Sequence, residues 1–288
     1  MPWPRSTASW KTDRVQLTKH HGLANDFLVV LDEVNGRELT IDGDLAVRLC
    51  DRRRGIGADG LIHGAAPAPD TDVDVVMHLY NADGSLAEMS GNGIRCLAQA
   101  VAMARDVREA MLIVATDGGV RQVQVESSAD QHTSHVRVDM GPAGAGPAVA
   151  AEVTDRLAAP GPAHATAVAT ADMGNPHLVV VVDDPSLIDL AVEGPWLERH
   201  FAEGINVEFI AATGADTLDL RVWERGAGIT QACGTGACAA AHAAHGWGMV
   251  GERVQVDMPG GSATVELADT ITLIGPSSHV ATLEIPDA

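Results

Sequence analysis

The feature that most restricts what this chain can fold into is an internal echo. Asn81-Ala-Asp-Gly-Ser-Leu-Ala-Glu-Met-Ser90-Gly91-Asn92-Gly93-Ile-Arg-Cys-Leu-Ala is matched by Glu224-Arg225-Gly-Ala-Gly-Ile-Thr-Gln-Ala-Cys233-Gly234-Thr235-Gly236-Ala-Cys-Ala-Ala. In each, a strand-like stretch and a turn lead to a small residue with a nucleophilic side chain. Gly-x-Gly follows and opens an apolar helical run. Ser90 and Cys233 stand 143 residues apart in a chain of 288, about half its length. A repeat of that period implies two related domains rather than a solenoid. With 46% hydrophobic and 20% charged residues, each half has enough apolar material for a core of its own.

The rest of the chain alternates short apolar stretches with helical ones. Strands are expected at 27–30, 75–80, 120–125, 136–140, 177–182, 207–211, 218–223, 254–258 and 270–274. Helices are expected at 45–53, 93–104, 186–200 and 236–247. Many strands with few crossover helices argue for an α+β fold with largely antiparallel sheets, against a doubly wound one. Residues 141–162, rich in Gly, Pro and Ala, read as a loop. The polar stretch 127–134 reads as the domain boundary, giving domains at 15–130 and 131–278. Residues 1–14 read as a loose extension without the apolar segment of a secretory signal. Arg52–Arg54 reads as a solvated helix end.

Charge and rare residues exclude several functions. The formal net charge of −20 repels phosphate backbones and anionic membranes, so neither nucleic acid nor membrane is an expected partner. No apolar run approaches the roughly 20 residues of a spanning helix. Lys11 and Lys19 are the only lysines, which limits a Schiff-base cofactor. Cys50, Cys96, Cys233 and Cys238 read as thiols of a reducing, cytoplasmic compartment, in a spacing that does not suit structural zinc. Neither a metal nor a cofactor is expected.

Gly-x-Gly at a helix start leaves N–H groups free, and the helix dipole adds positive charge there, so a carboxylate binds readily. A thiol at such an end is expected to have a lowered pKa. If the two halves face each other, both helix ends point into one cleft, and positions 90 and 233 flank the α-carbon of a bound carboxylate. That geometry inverts a stereocentre with two acid–base groups, one removing the α-proton and the other protonating the opposite face.

At these residues the chain resembles the diaminopimelate epimerases, cofactor-independent enzymes of lysine and peptidoglycan precursor synthesis. His21-Gly-Leu-Ala-Asn25-Asp-Phe27, Arg54-Gly-Ile-Gly-Ala-Asp-Gly60, Tyr80-Asn81, Met89-Ser90-Gly-Asn-Gly, Gly174-Asn175-Pro-His177, Gly204-Ile-Asn206-Val-Glu and the Glu224–Gly236 segment follow the family pattern in order. The resemblance implies two pseudo-symmetric mixed β/α domains, each a barrel-like sheet around a central helix, with the last strand, 279–288, joined to the first domain, and a homodimer. It implies that Cys233 is one catalytic thiol and that Gly91, Asn92, Gly234 and Thr235 hold the reacting carboxylate through their N–H groups. Asn25, Asn81, Asn175, Asn206 and Arg225 would grip the distal end of diaminopimelate, with Glu224 nearby. His177 and Glu224 would tune the thiol pair. Asn offers a donor and an acceptor without net charge, and Arg pairs a carboxylate bidentately.

Two departures stand out. Position 90, the family's second catalytic cysteine, is serine, a far weaker acid. It reads either as a replacement that holds the site at rest or as a natural variation with altered activity. Position 229, usually Glu, is Ile, which puts the hydrogen bonding at that helix entrance in question. A related racemase or dehydratase and a non-catalytic amino-acid binding protein are the alternatives. A cysteine hydrolase using Cys233 and His177 has no scissile-carbonyl site to support it.

Overall fold

The computed structural model describes residues 14–129 and 132–286; the N-terminal stretch read as an extension lies outside the described residues up to residue 13. The first half runs β1 (Arg14–Gly22), β2 (Asn25–Leu31), the single turn α1 (Asp32–Asn35), α2 (Gly43–Cys50), β3 (Gly60–Ala65), β4 (Val75–Asn81), β5 (Leu86–Ala87), α3 (Gly91–Ala104), β6 (Glu109–Thr116), β7 (Gly119–Ser127) and β8 (Thr133–Asp139). The second runs β9 (Gly144–Ala145), α4 (Ala151–Ala158), β10 (Ala167–Asp172), β11 (Pro176–Val181), α5 (Leu190–Glu198), β12 (Asn206–Gly214), β13 (Thr217–Glu224), β14 (Gly228–Ile229), α6 (Gly234–Gly246), β15 (Arg253–Met258), β16 (Gly261–Leu267) and β17 (Ile271–Pro286).

The expected α+β class and the barrel-like sheets around central helices are what the strand pairing shows. In the first half β1, β2, β3, β4, β6, β7, β8 and β17 pair in a closed ring. Helix α3 touches every strand of that ring. In the second half β10, β11, β12, β13, β15, β16 and the start of β17 line up in order, and α6 touches all of them. The echo in sequence is an echo in topology. β2 and β3 are parallel, as are β11 and β12; β4 and β6 are parallel across α3, as β13 and β15 are across α6.

Burial explains which residues form which element. A helix inside a barrel is buried all round: every residue from Gly91 to Ala102 is buried, as are Gly234 to Ala241, most of them apolar or small, while Asn92, Arg95 and Gln99 of α3 are buried with hydrogen-bond partners. Strands β2 and β11 are continuous apolar runs because both faces are covered. Val29 and Leu31 face α3, while Leu28 and Val30 face outward onto Ala46 and Leu49 of α2. Likewise Val179 and Val181 turn inward, and Leu178 and Val180 outward onto Val153, Leu157 and Leu197.

That outer layer corrects the reading of 141–162 as a loop. It contains β9 and the helix α4, whose Val153 and Leu157, one turn apart, cover the outside of the second sheet. The expected helix at 186–200 is a 3-10 turn at Pro185–Leu187 followed by α5, and the one at 45–53 is α2, capped by the Asp42 carboxylate on Leu45 N–H. Within the stretch 127–134, Ser127 ends β7 while Thr133 and Ser134 begin β8, and β8 pairs with β7 along Val123↔Val138 and with β17, so the first ring extends to Asp139. β17 serves both halves: Ile271–Ile274 pair with β16, and Ser278–Pro286 with β1. All four cysteines are free and buried.

Candidate active site

The two helix starts meet at the centre of the molecule. A Cβ placed on Gly91 would lie 3.1 Å from Cα of Gly234 and 2.7 Å from Leu273 Cδ2; one on Gly234 would lie 3.0 Å from Cα of Gly91 and 2.9 Å from the same Leu273 atom. The first residues of α3 and α6 therefore abut backbone to backbone, an approach only glycine permits. Ser90 and Cys233 are the N-caps in matching extended conformations, φ −141° and −126°. Ser90 Oγ accepts from Gly93 N–H at 3.0 Å, and Cys233 Sγ from Gly236 N–H at 3.3 Å. The cap carbonyls take the N–H groups of Ile94 and Ala237. The N–H groups of Gly91, Asn92, Gly234 and Thr235 remain as the open helix ends.

Both caps open into one cavity of about 600 Å³, within the range of small-molecule sites. Asn25, Asn81, Ser90, Gly91, Asn92, Asn175, Asn206, Glu224, Arg225, Cys233, Gly234 and Thr235 all line it. His177 does not. Its ring is fully buried behind the wall, between Glu208 Oε1 at 2.7 Å from Nδ1 and Asn175 Oδ1 at 2.9 Å from Nε2. It reaches the cavity only through Asn175.

A polar lattice holds the asparagines. Asn206 accepts from Arg225 N–H at 2.9 Å and donates to Pro176 O at 2.9 Å. Asn92 Nδ2 donates to Asn25 Oδ1 at 3.2 Å and to Ala232 O at 3.0 Å, tying the two halves together beside Cys233. Its Oδ1 accepts from Arg95 Nη2 at 2.7 Å. Arg95 is fully buried and also donates to Gly91 O at 2.9 Å; burial lowers its pKa to about 10. Asn25 Nδ2 donates to Asp59 Oδ2 at 2.9 Å, and Arg52 bridges Asp59 and Asp26 at 2.7 and 2.6 Å. Arg52 is thus a brace under the cavity wall, not a merely solvated residue. Lys19 is engaged with Asp26 at 2.8 Å.

Asp59, Arg95, Glu208 and Thr230 were not singled out from the sequence. All four lie inside the motifs quoted above, Asp59 and Glu208 in the family segments and Arg95 and Thr230 in the echo, and nothing else in the sequence marks them.

The thiol differs from its expected state. Burial pushes the Cys233 pKa well above the ordinary value, and the nearby Glu224 and Glu208 carboxylates push it further; the Thr235 hydroxyl and Gly236 N–H oppose without prevailing. Desolvation and like charge outweigh the helix end, so the resting group is a thiol and not a thiolate. Glu224, half-buried with its carboxyl against Thr230 and the Cys233 thiol, is itself raised, chiefly by burial. The Thr230 hydroxyl donates to Glu224 Oε1, so the helix entrance keeps its hydrogen bond although Ile229 is exposed at the cavity rim.

Solved structures share this architecture. A hydroxyproline epimerase from Agrobacterium vitis aligns with a TM-score of 0.69 at 17% identity, over 97% of this chain and 94% of its own. A protein described as a predicted epimerase from Pseudomonas aeruginosa aligns with a TM-score of 0.74 at 14% identity, over 95% and 100%. The fold is shared with these two proteins. A family profile for diaminopimelate epimerase matches residues 17–145 and 169–280. The diaminopimelate epimerase of Synechocystis is 40% identical over 280 residues, covering 92% of this chain and 97% of that protein. The chain belongs to the diaminopimelate epimerase family, and is an isomerase. Among the described residues no helix is long and apolar enough to cross a membrane.

Proposed function

We propose that this chain interconverts LL- and meso-diaminopimelate without a cofactor, with positions 90 and 233 as the two acid–base groups. One observation carries the reading: the Gly91–Gly234 contact turns two N-caps and their open N–H groups into the same cavity. The α-carboxylate sits on the N–H groups of Gly91, Asn92, Gly234 and Thr235, where two helix ends offset the charge that grows as the α-proton leaves. Arg225 and the asparagines of the cavity receive the distal amino-carboxylate end.

The resting thiol supplies a proton to one face of the α-carbon while position 90, having first lost its own proton to solvent, takes the α-proton from the other and is left protonated. In the opposite direction Cys233 first passes its proton to Glu224, whose buried carboxyl has a raised affinity for it. The resulting thiolate then takes the α-proton. A serine hydroxyl at 90 performs its half of this exchange slowly. General acid–base catalysis contributes roughly 10²- to 10⁴-fold, so Ser90→Cys raises turnover by about that factor.

The test follows solvent deuterium into the α-carbon from each stereoisomer, before and after Ser90→Cys. Exchange from both isomers supports the reading; its absence in both directions in Ser90→Cys overturns it. A cytoplasmic location and a homodimer complete the proposal. Sedimentation of the full chain checks the second.

A further inference from the structure

We propose that Arg95 is a positioning residue for the reaction: its guanidinium acts on the substrate carboxylate through the Gly91–Asn92 peptide, holding the carbonyl at one end while the N–H at the other end meets the carboxylate. The proposal rests on the reading of the cavity as a diaminopimelate site.

Arg95 lies one turn into α3, and helical side chains lean back toward the N-terminus. Its Nη1 therefore donates to Gly91 O at 2.9 Å and its Nη2 to Asn92 Oδ1 at 2.7 Å. Nε donates to Pro276 O at 3.4 Å. Two strand glycines leave room for the head group. A Cβ on Gly22 would fall 3.2 Å from Nη2, and one on Gly275 3.1 Å from Cζ. The side chain is fully buried, and these three acceptors are neutral. The titratable groups that act on it are the thiols of Cys96 and Cys238, both pushed up to about 12 by burial. Among the described residues no carboxylate pairs with it. A buried cation without a counter-charge is costly. In the loaded site the substrate carboxylate is that counter-charge.

One peptide makes the link. Gly91 C=O and Asn92 N–H are the two ends of the same planar amide. A cationic donor on the oxygen draws electron density from the nitrogen and strengthens the N–H as a donor, as hydrogen bonds in a chain reinforce one another. The side chain of Asn92 is set by the same group. Arg95 can only donate and Ala232 O can only accept, so the Asn92 amide has one orientation. Its Nδ2 lies on Ala232 O at 3.0 Å, beside the Cys233 cap.

The second half has no equivalent. At the spacing of the echo the counterpart of Arg95 is Cys238, fully buried and held as the neutral thiol. The clamp is therefore lopsided, with its stronger donor beside position 90. Charge on the carboxylate oxygens grows as the α-proton leaves, so that donor is felt more in the transition state than in the bound substrate.

The experiment labels glycine carbonyl carbons with 13C and asparagine nitrogens with 15N in the full chain. Only Asn92 and Asn175 follow a glycine, so two peptides report. Arg95→Gln and Arg95→Met are each expected to move the Gly91 carbonyl and the Asn92 amide proton upfield and to leave Gly174–Asn175 in place. In the Ser90→Cys background both are expected to lower kcat for diaminopimelate roughly 10- to 100-fold, the worth of one hydrogen bond to a charged group, with a smaller change in KM. Arg95→Lys, which keeps the charge, is expected to recover most of that loss. An unmoved Gly91 carbonyl overturns the proposal, as does an unchanged kcat in the neutral variants. So does an Arg95→Lys as slow as Arg95→Gln with Gly174–Asn175 displaced as far as Gly91–Asn92, the mark of a packing role alone. If diaminopimelate neither shifts the Asn92 amide nor turns over in Ser90→Cys, the substrate reading fails, while the Gly91 carbonyl still reports whether the guanidinium polarises that peptide.

Discussion

Replacing Gly91 with alanine tests the meeting of the two helices directly. The new methyl would sit 2.7 Å from Leu273 Cδ2 and 3.1 Å from Gly234 Cα. Leu273 is fully buried, and the second neighbour is backbone, so the chain must give by a few tenths of an ångström. Overpacking of this kind costs about 1–3 kcal/mol. Alanine in place of glycine in a helix returns up to about 1 kcal/mol. The net is a loss of roughly 1–2 kcal/mol, or about 5- to 30-fold in the folding constant. Urea unfolding should show a lower midpoint at unchanged slope. Gly234→Ala should behave alike, because the contact is reciprocal. Both displace the caps, and deuterium exchange at the substrate α-carbon should fall by about 10-fold or more, since small misplacements are expensive in catalysis. Gly246→Ala is the control: it lies on α6 with nothing within 4 Å of a new Cβ and should be neutral or stabilising. If Gly91→Ala proves as benign as Gly246→Ala in both assays, the two helix ends do not touch and the two-base reading loses its footing.

Three further outcomes are expected. Burial lowers His20 from 6.5 to about 4. The unfolded chain takes up this proton first, so stability is present above pH 6.5 and falls by up to about 3 kcal/mol as pH drops toward 4; His20→Gln should flatten that limb in denaturant titrations. Burial pushes Cys96 and Cys238 up to about 12 from 9.0. Their contribution is therefore present below pH 9 and lost as pH rises toward 12, and alanine at both positions should weaken the alkaline decline of the unfolding midpoint. Arg225→Ala removes a guanidinium from the cavity lining and should raise KM for diaminopimelate roughly 10- to 100-fold; unchanged KM would mean that the distal carboxylate is not read there.

The architecture was legible where backbone chemistry demands particular residues. Gly91 and Gly234 have no alternative at a contact of that closeness, so the paired Gly-x-Gly reported the fold and the cavity together. The apolar runs of β2 and β11 reported strands covered on both faces. Helix α4 was hidden because its Ala-rich, Pro-flanked segment offers only Val153 and Leu157 as a buried pair. The state of Cys233 was not legible either. It depends on where the chain brings Glu208 and Glu224, and the helix-end argument in isolation gives the opposite sign. Asp59 and Glu208 escaped for a related reason: their partners Asn25 and His177 lie 34 and 31 residues away, and only the parallel pairing of β2 with β3 and of β11 with β12 brings them together.

Strand β17 closes the first ring by reaching β1, and it also finishes the second sheet. During synthesis the first ring must wait for residues 278–286 to emerge. Until then β1 and β8 each carry an unsatisfied edge, a template for pairing with other chains. A chain stopped before Ile271 strands both halves at once, so neither matures separately and the unit of folding is the whole polypeptide. Loss of a few residues at the carboxyl end should therefore be felt first as aggregation during expression, before any effect on turnover can be measured.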